Sequence, residues 1–123
     1  MKAGRELDAL VAEKVMGERI GQRRTTIRDG VQTDEILLAA PGDWCFKLCP
    51  PYSTDIAAAW EVVEHLDEDL EFRLWGPREE RGQRPAGGWE VELQNRVTGA
   101  WYRGVSEESA PHAICLAALK SVG

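Results

Sequence analysis

The stretch PPYSTDIAAAWEVVEHL, residues 50–66, is where an extended chain has to become a helix. Pro50 and Pro51 lack N–H donors and stop a strand. Ser53 or Thr54 then offers a side-chain oxygen to the unpaired N–H groups of a first helical turn. Asp55 in that turn suits the positive end of the helix dipole. Ile56, Ala59, Trp60, Val63 and Leu66 follow at spacings of three and four, a continuous apolar stripe, and the small residues Ala57–Ala59 allow close approach to a sheet or another helix. A helix start with spare N–H groups and adjacent hydroxyls is also a seat for an anion, which makes Tyr52, Ser53 and Thr54 candidate ligand contacts.

Working outward, residues 2–16 read as a helix with Leu7, Leu10, Val11 and Val15 on one face, the polar Glu6, Asp8, Glu13 and Lys14 elsewhere, and Gly17 as its terminator. Residues 18–35 are polar and read as a loop or a weak hairpin, expected to be mobile or to be ordered by a partner. Ile36–Ala39 reads as a short strand, Pro41-Gly42 as a turn, and Trp44, Phe46 and Leu48 alternate as in a half-buried strand. Downstream, Leu70–Trp75 reads as a strand with Phe72 and Leu74 inward, and residues 76–88 as a turn-rich loop. Trp89, Val91 and Leu93 alternate with Glu90 and Glu92, and the segment pairs as a hairpin with Ala100–Val105. A last helix starts near Ser106–Ser109, with Pro111 in its first turn and Ile114, Cys115, Ala118, Leu119 and Val122 on its apolar face. The order predicts an α+β fold: one domain over 1–123, with an antiparallel sheet of three to five strands packed against about three α-helices.

Composition narrows the function classes. Hydrophobic residues make up 43% and charged residues 29%, a globular balance. The net charge of -6 argues against non-specific nucleic-acid binding, which needs a broad basic face. The charges are uneven: Asp55–Glu71 holds seven acids and no Lys or Arg, and Arg19–Arg28 holds four arginines and no acid. Two readings fit, a solvated helix beside a mobile basic loop, or a basic loop of one subunit docking on the acidic helix of another. No apolar run reaches the roughly 18 residues of a membrane span. Three cysteines, Cys45, Cys49 and Cys115, with no signal peptide point to a reducing, cytoplasmic setting. Cys45 and Cys49 lack a second pair or a nearby histidine, so neither a zinc site nor a cofactor is expected.

The segments ELDALVAEKVMG (6–17), PPYSTDIAAAWEVVE (50–64) and SAPHAICLAALKSVG (109–123) together resemble the phage ABA sandwich domain family and cover about a third of the chain. The last block is similar to a family ending of Thr-Ala-Pro followed by an alanine-rich helix; Ser109 stands for the threonine and His112 for an apolar residue. Residues 18–48 depart from the family pattern. The resemblance implies phage origin, a layered α/β fold and life in the cytoplasm of a bacterial host, and implies no particular reaction.

Nothing in the chain reads as an enzyme. His65 and His112 are the two histidines, no nucleophile elbow surrounds Ser106 or Ser109, and there is no phosphate loop, dinucleotide fingerprint or calcium loop. Binding fits better. Trp75, Trp89, Trp101 and Tyr102 lie among Arg73, Arg78, Arg81, Arg84, Arg96 and Arg103; aromatic faces stack on bases, and guanidinium forks pair with phosphates. Trp101, Arg103 and Val105 share one face of their strand, Ala100, Tyr102 and Gly104 the other, so one of the two aromatics faces a core. The expected site is a pocket for a small anionic, nucleotide-type ligand formed by Tyr52, Ser53, Thr54, Arg73, Trp75, Trp101 and Arg103. In a phage setting this reads as an anti-defence protein that sequesters a nucleotide immune signal. The rivals are an inhibitor that binds a host protein through the sheet edge or residues 18–35, and a virion component. Alanine-rich helix faces also lead us to expect a homo-oligomer.

Overall fold

The computed structural model describes residues 1–39, 46–76 and 88–122. The sequence readings at Pro41-Gly42, Trp44, Cys45, Arg78, Arg81 and Arg84 lie outside them. The chain runs α1 (Arg5–Lys14), β1 (Arg19–Arg28), β2 (Val31–Ala39), β3 (Phe46–Leu48), α2 (Ile56–His65), β4 (Leu70–Trp75), β5 (Trp89–Asn95), β6 (Trp101–Ser106) and α3 (Ala110–Val122). This is the α+β fold of helices and antiparallel strands that the patterning predicts. Its strands divide into two three-stranded sheets, β1-β2-β3 and β4-β5-β6, rather than one. Pro50-Pro51 ends the first sheet, and α2 carries the chain to the second.

Each helix is cut by local chemistry. Gly17, at φ 70, turns the chain back after α1 so that the Glu18 N–H reaches the Ala12 carbonyl at 2.8 Å. At α2 the cap is Asp55, whose carboxylate accepts from the Ala57 N–H at 3.1 Å, and not Ser53 or Thr54 as the sequence reading had it.

Residues 18–35 are a hairpin and not a loop. Asp29 (φ 50) and Gly30 (φ 78) are both left-handed, the conformation of a two-residue connection whose twist matches the flanking strands, and Arg28 pairs with Val31 across it. Thr25, Thr26, Ile27, Val31 and Thr33 supply the β-branched residues that favour extended chain.

Two apolar clusters share the helices. The first joins Leu7 and Val11 of α1, Ile36 and Leu38 of β2, Tyr52, Ala58 and Val62 around α2, and Cys115 and Ala118 of α3. The second joins Ala59 of α2, Val91 and Leu93 of β5, and Ala113, Ile114 and Ala117 of α3. Neighbouring residues of α2 and α3 thus point into opposite clusters, and each large aliphatic side chain fully buried there stabilises the fold by about 1.5–3 kcal/mol. Gly104 sets how closely α3 lies on β6: a Cβ there would run into the Ala113 carbonyl and come 2.6 Å from the Ala117 nitrogen.

Candidate functional site

The second sheet gathers four of the expected site residues. Arg73 pairs with Glu92 and Glu92 with Arg103; Trp75 pairs with Glu90 and Glu90 with Val105; Gln94 pairs with Trp101. Residues directly opposite one another share a face. Phe72, Leu74, Tyr102 and Trp89 pack on the second core, so Arg73, Trp75, Trp101 and Arg103 take the outer face. Of the two aromatics on β6, Tyr102 is therefore the inward one and Trp101 the free one, 53% exposed. This face is not a basic surface. Arg103 forms an ion pair with Glu90, and Arg73 with Glu71 at 3.3 Å. Three glutamates, Glu71, Glu90 and Glu92, stand among its two arginines.

Tyr52, Ser53 and Thr54 do not join that face. Tyr52 and Ser53 are buried in the first core, and only Thr54 is exposed. The reason is Asp8, a buried carboxylate that the sequence reading left on the polar side of α1. Its Oδ1 accepts from the Ser53 N–H at 2.7 Å and from the Ser53 hydroxyl at 2.6 Å, while Ser53 Oγ accepts from the Gly4 N–H at 2.9 Å. Ser53 is thus a clasp between α1 and the entrance to α2. Burial pushes the Tyr52 hydroxyl up to about 12, so it stays protonated. The anion seat at the start of α2 is filled by the Asp55 carboxylate.

A second region was missed. Between the N-terminal segment and the hairpin lies a groove of about 750 Å³, lined by Lys2, Arg5, Arg23 and Arg24 together with Glu6, Asp34 and Glu35. Arg23 donates to Glu6 at 2.7 Å, Thr25 to Asp34 at 2.9 Å, and Arg24 pairs with Glu35. These are solvent-facing pairs, each contributing about 0–1 kcal/mol, and a stronger anion can displace them. The signal in the sequence was the arginine run on a segment with an Asp-Gly turn, read there as a loop or a weak hairpin.

The nucleophilic groups are committed elsewhere. Ser106 Oγ lies 2.6 Å from His112 Nδ1, and His112 Nε2 lies 2.7 Å from the Met1 carbonyl, so Nε2 carries the proton and Nδ1 accepts from the serine. Ser106 Oγ also accepts from the N–H groups of Glu108 (2.9 Å) and Ser109 (3.2 Å) at the entrance to α3. Both side chains are buried, and the hydroxyl is used as a cap. Burial pushes the Cys49 and Cys115 thiols up to about 11 and about 12, away from the reactive thiolate. Among the described residues no group of three or more His, Cys, Asp or Glu side chains is placed to hold a metal ion, and no helix is long and apolar enough to cross a membrane.

Comparison with known proteins adds context to this geometry. The model of the phage ABA sandwich domain matches residues 9–119. The fold is similar to that in a 2.0 Å crystal structure of a phage protein from Bacillus cereus ATCC 14579, with a TM-score of 0.64 and 29% sequence identity over 99% of this chain and 93% of that one. No curated protein matches the chain.

Proposed function

The chain belongs to the phage ABA sandwich domain family, and from that premise we propose that it is a non-enzymatic, phage-encoded binding protein that acts against host defence by sequestering a small anionic, nucleotide-type signal in the bacterial cytoplasm. The groove under the hairpin is the observation that carries this reading. Its volume falls in the roughly 300–1,000 Å³ typical of small-molecule sites. Lys2, Arg5, Arg23 and Arg24 supply cationic donors for phosphate. A sequestering protein needs no general base, and Ser106 and His112 are spent on structure.

Calorimetric titration with a panel of cyclic and linear nucleotides tests the proposal. We expect at least one ligand to bind, and Arg23→Ala with Arg24→Ala to weaken it by about tenfold or more, the loss of a charge-assisted contact. Trp101→Ala should leave that affinity unchanged. A panel without binding heat or thermal shift overturns the reading.

A host-protein partner is the second reading, favoured by the outer face of the second sheet. There the arginines are already paired with glutamates while Trp101 stands exposed, the pattern of an aromatic anchor in a protein interface. In that case Trp101→Ala abolishes capture of the host partner, and the groove variants do not.

A further inference from the structure

We infer that two copies of this chain associate by placing the outer face of the first sheet of one copy on the acidic face of α2 of the other. The pairing of β1 with β2 after the irregularity at Ile20/Gln22 sets Gln22, Arg24, Thr26 and Arg28 on one face with Leu37, Glu35, Thr33 and Val31. Ile36 and Leu38 take the opposite, buried face. Arg19 sits opposite Ala39, and Ala39 and Leu37 sit opposite Phe46 and Leu48 of β3. The outer face therefore combines arginines with Phe46 and Leu48, 51% and 59% exposed. Arg19 and Arg28 form no ion pair with any described residue.

α2 presents the complement. Ala58, Ala59 and Val62 face the cores. Ile56 and Trp60, four residues apart, are 51% and 46% exposed beside that buried face, the Trp60 ring edge-to-face on Phe72 of β4 at 5.6 Å between centroids, with exposed Glu61 and Glu64 next to them and Asp67, Glu68 and Asp69 following. Beside its large apolar side chains the sheet face carries Arg19 and Arg28, its Arg24 being held by Glu35, and the acidic side chains of the helix face have the opposite sign. β1 is also an edge strand, and four arginines make it repel an identical edge, so copies do not add strand to strand there. Sheet face on helix face puts Arg19 and Arg28 against carboxylates and removes exposed aromatic and aliphatic surface from water. Because every copy carries both halves, the contact is reciprocal in a two-fold pair or repeats around a ring.

The test is the molar mass of the full chain by light scattering after size exclusion at low and high salt. We expect multiples of 13.7 kDa, with dissociation strengthened about tenfold or more between about 0.05 and 0.5 M salt, as screening weakens rim pairs. Arg19→Glu with Arg28→Glu should give a monomer, and so should Glu61→Arg with Glu64→Arg, each keeping the wild-type circular dichroism and melt. An equal mixture of the two double variants should associate again, because each then meets an oppositely charged face in both contacts. A wild-type chain monomeric at about 100 μM, or a mixture that stays monomeric, overturns the inference; so does association that neither double variant disturbs. None of these four positions lines the hairpin groove, so a failure here is distinct from a failure of nucleotide binding.

Discussion

The two three-stranded sheets are held in different ways. Over β5 and β6 the alanines of α3 lie on the sheet, and Gly104 admits the helix backbone itself. The distal part of the β1–β2 hairpin, Gln22 to Asp34, has nearly every side chain exposed on both faces. Its order rests on backbone pairing, a tight turn, and cross-strand partners such as Arg24–Glu35 and Thr25–Asp34. A two-stranded ribbon without a covering layer is marginally stable alone, whereas a sheet under a helix shares the stability of the core. The second sheet and the buried part of β2 are scaffold, and the distal hairpin lies at the low-stability end.

The sharpest way to break that contrast is at Gly104. Gly104→Ala forces a methyl group against the Ala113 carbonyl and the Ala117 nitrogen, both backbone atoms that cannot rotate away. α3 then has to lift from β6 and uncover Ala113 and Ala117, which are wholly buried. We expect a loss of about 3 kcal/mol, at the upper end for overpacking. Chemical denaturation reads it as a lowered midpoint. A wild-type midpoint would mean that α3 does not lie close on β6 and that the two sheets are held alike.

The clasp between Asp8 and Ser53 comes next. It fastens α1, against which the first sheet packs, to the chain entering α2. Ser53→Ala removes the hydroxyl donor to a buried carboxylate and the acceptor of the Gly4 N–H. The expected cost is about 2 kcal/mol, the desolvation of groups left unpaired. Combined with Asp8→Ala it should cost less than the sum of the two single losses, because the bond between the two side chains can be lost only once. A fully additive double variant would show that the two residues do not act as one unit.

The parts legible in the sequence were those where one periodicity dominates. Leu70–Trp75 forms a strand with the boundaries the pattern predicts, and the alternation on β6 left two faces of which Tyr102 took the inner. The three helices followed from spacing and from the glycine after α1. The Ser53–Asp8 contact joins positions 45 apart, and no local pattern announces it. An Asp eight residues into the chain reads as solvated until Ser53 is seen beside it. The candidate surfaces split the same way. Strand alternation could place Trp101 with Arg103, and pairing between strands then brought in Arg73 and Trp75. The hairpin groove exists only because the N-terminal segment lies opposite β1 and β2, which is tertiary information. The hairpin itself was written in Asp29-Gly30, but a ribbon exposed on both faces carries no alternation of apolar and polar residues, and its polarity left loop and weak hairpin both open.

That turn gives the smallest and most local test. Gly30 sits at φ 78, where a side chain costs roughly 1 kcal/mol, and nothing lies within 4 Å of the position a Cβ would take. Gly30→Ala therefore strains the backbone without a clash, so its effect isolates turn conformation from packing. If the distal hairpin is a separate low-stability unit, the variant speeds amide exchange of residues 22–34 by about fivefold, the rate equivalent of 1 kcal/mol, and leaves β5 and β6 protected as before. If exchange rises equally in both sheets, the hairpin unfolds only with the core, and the division of the molecule into scaffold and separately opening hairpin is lost.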